Sequence, residues 1–284
     1  MSGRSVRAVH PALRDDIADL ITRRPVPAPH LPQVDPFLFL NHHGPQTYAP
    51  GNRGLPFGPH PHRGFETVTF ILEGSLAHRD TGGGESIVEA GGVQWMTAGR
   101  GLVHAELSPD AFKRSGGPME ILQLWVNLPA RLKMTEPNYV GVTTGEIGET
   151  ALADGVTMRA VSGTAGAPIT SLTGVMLATV ELAPGARAML PAPPGRSVLC
   201  YTVRGSARVD GAQVPQWHLA DIADDGEGLE VTSEQGCLLL YGHADPIGEP
   251  VVAHGPFVMN SQAEIAEAIR DYQLGKFGSP SSIG

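Results

Sequence analysis

The same order of strand and turn signals occurs twice along the chain, and this repeat limits the fold more than any other feature. Thr67–Leu72 leads into Glu73-Gly74, and Ser197–Val203 leads into Arg204-Gly205. Runs rich in β-branched residues that end at a glycine turn are typical of strands. Self-similarity of this kind predicts a duplicated β-domain.

The turn residues extend this prediction to the whole chain. With 36 Gly and 25 Pro among 284 residues, turns are frequent and long helices are few. The length allows about two domains. We therefore expect an all-β fold with an N-terminal barrel over residues 1–131, a linker over 132–150 and a C-terminal barrel over 151–284.

One helix is predicted near the end of the chain, over about residues 261–275. Ser261 and Glu264 form a capping box, in which each side chain satisfies a free N–H group of the first turn. Gly275 suits the left-handed position that follows a helix. The apolar stripe predicts that the helix docks on a barrel wall, and it consists of Ile265, Ala268, Ile269 and Tyr272.

Charge and cysteine content argue against several classes of protein. The net charge is −9 and no Lys/Arg cluster is present, which disfavours direct nucleic-acid binding. The apolar runs are too short to cross a bilayer, and the first twenty residues contain no signal-peptide core. Cys200 and Cys237 lie in strand-like runs, so we expect buried free thiols rather than a disulfide. These features predict a cytoplasmic protein without membrane contact.

Two short motifs carry the candidate chemistry. His60 and His62 flank Pro61, and His104 and Glu106 follow a glycine-rich turn. Side chains at i and i+2 of a strand point to the same side, so each motif can direct two ligands into one cavity. Either motif alone is common among packed or surface residues, but their joint occurrence predicts a site of three imidazoles and one carboxylate.

Such a ligand set suits iron, manganese, cobalt, nickel or copper, because a closed zinc site more often recruits cysteine. Aligning Gly74 with Gly205 places Pro191 and Pro193 opposite His60 and His62, so the second copy should hold no metal. The eight other histidines lack this spacing and are interpreted as structural or surface residues: His10, His30, His42, His43, His78, His218, His243 and His254.

Glu66 competes with Glu106 for the metal. It shares strand parity with His60 and His62 only if the chain runs straight through Arg63-Gly64-Phe65, where the glycine makes a bend plausible. From the residues alone, Glu66 can be a ligand, a partner that orients a ligand, or a barrel residue. We favour the second role, with Arg63 or the free nitrogen of a ligand histidine as its own partner.

The motifs resemble those of the pirin family within the cupin superfamily. The resemblance is carried by Pro59–Asp80, by Ala98–Glu106 and by Gly255–Gly275, and it extends from about Val6 to Phe277. It implies two tandem cupin barrels, which are double-stranded β-helices of the jelly-roll kind. It also implies one metal, usually iron, held by His60, His62, His104 and Glu106, with Glu66 outside the ligand set.

The family's activities give two hypotheses for function. The first is a quercetin 2,3-dioxygenase that opens flavonols with O2, using one Fe(II), or Mn, Co, Ni, Cu or Zn in its place. There the metal would act as a Lewis acid, and Glu106 would take the substrate's hydroxyl proton. The second is a redox-sensing regulator, whose metal oxidation state changes its affinity for a transcriptional or metabolic protein partner. A cupin isomerase or sugar-binding barrel is a third reading, which the specific pirin-like stretches disfavour.

Overall fold

Short strands separated by glycine and proline turns build most of the molecule, whose computed structural model describes residues 2–283. The strands of the first half are β1 (Val6–Pro11), β2 (Leu13–Arg14), β3 (Thr22–Val26), β4 (Phe37–Tyr48), β5 (Phe57–His62), β6 (Phe65–Glu73), β7 (Ser75–Asp80), β8 (Glu85–Glu89), β9 (Val93–Thr97), β10 (Leu102–Leu107), β11 (Gly117–Asn127) and β12 (Asn138–Val142). Helix α1 (Asp110–Ser115) and short 3-10 turns at Ala130–Leu132 and Thr144–Glu146 connect them.

The second half repeats the pattern and ends in a helix. Its strands are β13 (Thr150–Ala153), β14 (Val156–Ser162), β15 (Met176–Leu182), β16 (Arg187–Pro191), β17 (Ser197–Val209), β18 (Ala212–Pro215), β19 (His218–Ile222), β20 (Gly228–Thr232), β21 (Cys237–Ala244), β22 (Val252–His254) and β23 (Phe257–Met259). Helix α2 (Gln262–Gln273) and a 3-10 turn at Pro280–Ser282 follow.

Two compact units divide the chain, and their bounds differ from the predicted ones. The first barrel comprises Arg14–Arg23, Phe39–Thr144 and the chain from Ile247 onward. The second barrel comprises the chain up to Leu13, Arg24–Leu38 and Gly145–Pro246. Pairing explains the difference, since β1 completes the sheet edge beside β19. Residues 138–142 were predicted as linker but form β12, which pairs with β9.

The first barrel has two sheets. Its seven-stranded sheet has the order β12-β9-β6-β11-β4-β3-β2, and its four-stranded sheet has the order β5-β10-β7-β8. A tight turn at Gly74, with φ of +85°, carries the chain from β6 to β7 and so from one sheet to the other. The predicted motifs lie on neighbouring strands of the smaller sheet, because β5 pairs with β10.

The second barrel repeats this topology. Its ten-stranded sheet contains the path β1-β19-β17-β21-β15-β14-β13, with β18 and β20 also paired to β17, and β16 paired to β20. Its core consists of buried aliphatic residues together with Cys200, Cys237 and Tyr241. Both cysteines are buried free thiols, as predicted. The duplicated all-β fold is therefore confirmed.

Helix α2 confirms the predicted N-cap, which is Ser261, whose Oγ accepts a hydrogen bond from the backbone N–H of Glu264. The carboxylate of Glu264 differs from the prediction, because it accepts from the backbone N–H of Asn260, one residue before the N-cap. Ile265 and Ala268 of its apolar stripe are buried in one cluster with Val103 of β10. The helix thus docks on the wall of the first barrel. No helix described within residues 2–283 has the length and apolar character that crossing a bilayer demands.

Candidate metal centre

Three of the four predicted ligands meet inside the first barrel. The nitrogens that His60, His62 and His104 offer lie within 4.8 Å of one another, and this is the cluster of metal-ligating side chains found among the described residues. Antiparallel pairing sets His104 directly opposite His60, with their Nε2 atoms 2.9 Å apart. Two metal–nitrogen bonds of about 2.1 Å at a right angle would place their nitrogens about 3 Å apart, so the spacing fits a shared metal ion.

Hydrogen bonds at the outer nitrogens orient two of these rings. His60 Nδ1 donates to the carbonyl oxygen of Gly58 at 2.8 Å, and His62 Nδ1 donates to that of Pro256 at 3.2 Å. A carbonyl oxygen can only accept, so the hydrogen of each neutral ring sits on Nδ1 and the lone pair on Nε2. The Nε2 lone pairs are therefore available to a metal. His104 Nδ1 is buried without a partner.

Burial favours the neutral form of two members of the triad, His62 and His104. It lowers the pKa of His62 to about 3, and the neighbouring His60 adds to the shift. The pKa of His104 lies well below its usual value for the same reason, with further contributions from His62, His60 and His78. Neutral imidazole is the form that binds metals, so His62 and His104 need not lose a proton first.

Glu106 lies beside the triad but is not one of the three clustered groups. It is buried on β10, two residues beyond His104. Its Oε1 accepts a hydrogen bond from Thr69 Oγ1 at 3.2 Å, and its Oε2 accepts one from Gln123 Nε2 at 2.6 Å. These bonds hold the carboxylate on the interior side of β6 and β11. Its role as fourth ligand stays a prediction.

Glu66 lies on the other face of β6. It is three residues before Thr69, and alternation places these two side chains on opposite faces of the strand. Its Oε1 accepts from Thr97 Oγ1 at 2.6 Å, so its partner differs from the predicted Arg63 or ligand histidine. Burial raises the pKa of this carboxyl, against hydrogen bonds from Thr97 and Trp95.

The predicted bend after His62 is present. Strand β5 ends at His62, β6 begins at Phe65, and Gly64 between them has a φ of +89°. A Cβ atom at this position would lie 2.0 Å from the carbonyl oxygen of Val258. Only glycine fits, and the bend breaks the parity that would otherwise join Glu66 to the histidines.

An aromatic wall next to the triad was not predicted. Trp125 stacks on Phe39 with ring centroids 4.7 Å apart and an interplanar angle of 29°. Its ring also lies 5.4 Å from His62 and 4.3 Å from Phe65. Strand parity contained the signal, since Gln123 and Trp125 are two residues apart on β11 and share a face, as His104 and Glu106 do on β10.

His78 was interpreted as structural or surface, and the structure buries it close to the triad. Its ring lies 5.4 Å from that of His104 and stacks on Tyr139 at 3.9 Å. Its Nε2 is 2.8 Å from Asp80 Oδ2. The adjacent His42 and His43 are buried on different partners, His42 on Glu120 and His43 on Thr22, which agrees with the structural role predicted for them.

Comparison with known proteins follows the division into two barrels. A family model described as Pirin matches residues 19–126, and one described as Pirin C-terminal cupin domain matches residues 177–278. A pirin-like protein from Solanum lycopersicum is 38% identical over 91% of this chain and 87% of its own length. Human pirin is 37% identical over 90% of this chain and 87% of its own.

A solved structure shows the same fold along nearly the whole chain. The crystal structure of a quercetin 2,3-dioxygenase from Acinetobacter baumannii superposes with a TM-score of 0.90 at 31% identity. The match covers 98% of this chain and 100% of the other. The fold of nearly the whole chain is therefore shared with that protein.

Proposed function

The chain belongs to the pirin family of double-barrelled cupins, and from this membership we propose that it is an iron-dependent dioxygenase that opens the ring of flavonols with O2. The observation that carries the proposal is the convergence of three imidazoles, two of which hold their hydrogen on Nδ1 and leave the Nε2 lone pair for a metal. The similar Acinetobacter protein named as a quercetin 2,3-dioxygenase supports the choice of substrate.

His60, His62 and His104 would hold the metal, with Glu106 as a fourth ligand. The bound metal would supply Lewis acidity toward the substrate's oxygen atoms and redox chemistry toward O2. Manganese, cobalt, nickel, copper or zinc would fit the same imidazole donors, and iron is the form proposed for turnover.

Glu106 would take the proton of the substrate's hydroxyl group. Thr69 and Gln123 each donate to one of its oxygens and so hold the carboxylate in one orientation. Each carboxylate oxygen has two lone pairs, so both can accept a further hydrogen bond. We assign Glu106 Oε1 or Oε2 as the acceptor of the flavonol 3-hydroxyl proton.

The aromatic wall would bind and orient the substrate. Trp125 and Phe39 are both partly exposed, and they present stacked rings beside His62. A flat ring system gains both apolar burial and offset stacking on such a surface. Trp125 Nε1 is buried without a protein partner, so it can donate a hydrogen bond to a carbonyl oxygen of the substrate.

Anaerobic loading with Fe(II), followed by quercetin and then air, tests the proposal. We expect loss of the flavonol absorbance that depends on the metal and disappears in His104→Ala. The matched control is His218→Ala in the second barrel, which should keep full turnover. If the protein binds iron but leaves quercetin unchanged, the dioxygenase proposal fails, and the redox-sensing regulator becomes the better hypothesis.

A further inference from the structure

The end of the chain contacts the metal centre directly. We name residues 256–277 the terminal clamp, which comprises β23, α2 and the turn after it. The carbonyl oxygen of Pro256 accepts the Nδ1 hydrogen of His62 at 3.2 Å, across 194 residues of sequence. This bond fixes which nitrogen of His62 carries the hydrogen and which faces the metal.

Arg63 fastens the clamp to the residue next to this ligand. The backbone carbonyl of Arg63 accepts a hydrogen bond from the N–H of Val258 at 3.1 Å, and Arg63 forms an isolated β-bridge with Phe257. Its guanidinium Nη2 donates to Asp271 Oδ2 of α2 at 2.9 Å, and its Nε donates to the carbonyl of Arg100 at 2.6 Å. Both side chains of the ion pair are at least nine-tenths buried.

A buried lysine fixes the neighbouring bend in the same way. Lys133 Nζ donates to the carbonyl oxygens of Gly64 at 2.8 Å and of Val258 at 3.0 Å. It also donates to Asn127 Oδ1 at 2.7 Å. All three donors of the ammonium group are used, so the bend that follows His62 and strand β23 are tied to one point.

The clamp also reaches β10, the other strand that carries ligands. The ring of Phe277 lies so close to Gly101 that a Cβ atom there would be 2.5 Å from it. Thr81 Oγ1 donates to the carbonyl of Phe277 at 2.5 Å and accepts from the N–H of Val103 at 3.0 Å. Val103 directly precedes His104, so both ligand strands are held from one side.

Apolar packing around Phe277 stabilises the contact between the clamp and β10. The guanidinium carbon of Arg63 lies 4.7 Å from the centre of the Phe277 ring, an arrangement that favours the cation. Around this ring a single buried cluster joins Val103 of β10 to the clamp residues Phe257, Met259, Ile265, Ala268 and Phe277, and it also contains Ile283 beyond the clamp.

We propose that Asp271 is a positioning residue for the metal centre, which acts through Arg63 to hold His62 in its metal-binding orientation. The inference rests on the proposed metal site but not on the dioxygenase reaction. Asp271 neutralises a guanidinium that is buried beside the ligand, and loss of that charge would leave Arg63 without an ionic partner. Arg63 would then shift toward water, and the turn that carries His62 would loosen with it.

Asp271→Asn tests this inference, because the amide keeps the shape of the carboxylate and removes its charge. The matched control is Glu267→Gln, the same chemical change on the exposed face of α2. Co(II) is titrated into each metal-free protein, and affinity and the visible spectrum of bound cobalt are recorded. We expect Asp271→Asn to weaken binding about tenfold or more and to change the spectrum. Glu267→Gln should change neither.

Arg63→Met provides a second variant should Asp271→Asn fail to fold, since it removes the other partner of the same ion pair and leaves Asp271 paired with Lys276. A folded Asp271→Asn or Arg63→Met protein with the wild-type affinity and spectrum would overturn the role of Asp271. If the wild-type protein binds no cobalt, the metal site itself fails. If the wild-type protein binds cobalt without oxidising flavonols, the clamp stands and only the dioxygenase proposal falls.

Discussion

The two barrels share their strand order and register and differ in what fills them. Glu73 pairs with Glu120 and Ile71 pairs with Ile121, so Leu72 has no partner on β11 and the register shifts there, as at a β-bulge. In the second barrel Arg204 pairs with Leu238 and Thr202 with Leu239, and Val203 is passed over in the same way. Duplication therefore preserved even a local irregularity of the backbone.

Interior positions diverge where this backbone is preserved. Thr69 pairs with Gln123, and both bind Glu106. The corresponding pair of the second barrel is Cys200 with Tyr241, which lie in its apolar core.

The ligand strands show the same contrast. His60 pairs with His104 in the first barrel, and the fully buried Leu190 pairs with Leu229 in the second. One framework can thus hold either a polar site or a closed core, and the side chains decide which.

Removing a ligand should have the largest effect. We expect His104→Ala to weaken metal binding by more than about a hundredfold. Loss of a residue that only orients a ligand lowers metal affinity by about tenfold to a hundredfold, and loss of a ligand itself should lower it further. The fold should persist, since the core is extensive without the metal. Isothermal titration and circular dichroism check both points, with His218→Ala as the control in the second barrel. An unfolded His104→Ala protein at room temperature would contradict this account.

Exchanging the interiors should have the next largest effect. Leu229→His places an imidazole in an apolar core and should lower the free energy of unfolding by about 2 to 4 kcal/mol. The mirror change, His104→Leu in the metal-free protein, removes an imidazole whose Nδ1 has no partner and should cost less than about 1 kcal/mol. Urea unfolding measures both changes. Equal losses of unfolding free energy in Leu229→His and His104→Leu would contradict the description of one barrel interior as a polar site and the other as an apolar core.

The two glutamates should differ in kind within the first barrel. Glu106→Gln should weaken metal binding and change the electron paramagnetic resonance spectrum, because its carboxylate lies at the interior of the site. Glu66→Gln should keep the metal, with a loss of affinity of about a hundredfold at most. Loss of the metal in Glu66→Gln, with the wild-type signal kept in Glu106→Gln, would invert the assignment.

The smallest effect concerns the stability of the metal-free protein in acid. The pKa of folded His62 is about 3 and that of His243 in the second barrel about 4, both lowered mainly by burial. Both lie below the ordinary value of about 6.5, so the unfolded chain binds more protons below that pH. The free energy of unfolding should therefore fall as pH drops from about 6.5 toward 3 for His62, and toward 4 for His243.

Thermal unfolding between pH 7 and pH 4 checks this, and His62→Ala should flatten the pH dependence more than His243→Ala does. The reason is that His62 is more deeply buried and lies beside a second imidazole. Identical pH dependence in His62→Ala and the wild type would contradict the prediction.

Local spacing was enough to predict the triad, because i, i+2 parity on a strand and one register pairing decide where His60, His62 and His104 point. It was not enough for residues whose partners are remote in sequence. Pro256 and Asp271 contact His62 and Arg63 across 194 and 208 residues, and no periodicity encodes such a pair.

Loop length limited the predicted alignment of the two barrels. The alignment without gaps placed Pro191 opposite His60, whereas Pro191 is exposed and its neighbour Leu190 faces the core. The link between β16 and β17 is longer than the two-residue bend between β5 and β6, so the register moves. The inference that this copy lacks the histidine pair does not depend on that shift, since β16 contains no histidine.

Anomalous diffraction from crystals of the iron-loaded protein tests the central claim most directly, namely that one barrel holds a metal and its duplicate does not. A map calculated at the iron absorption edge gives both the number of metal ions and their positions. We predict a single peak per chain, bounded by the Nε2 atoms of His60, His62 and His104. A second peak of similar height inside the barrel of Cys200 and Tyr241, or the absence of any peak at the triad, would contradict the account.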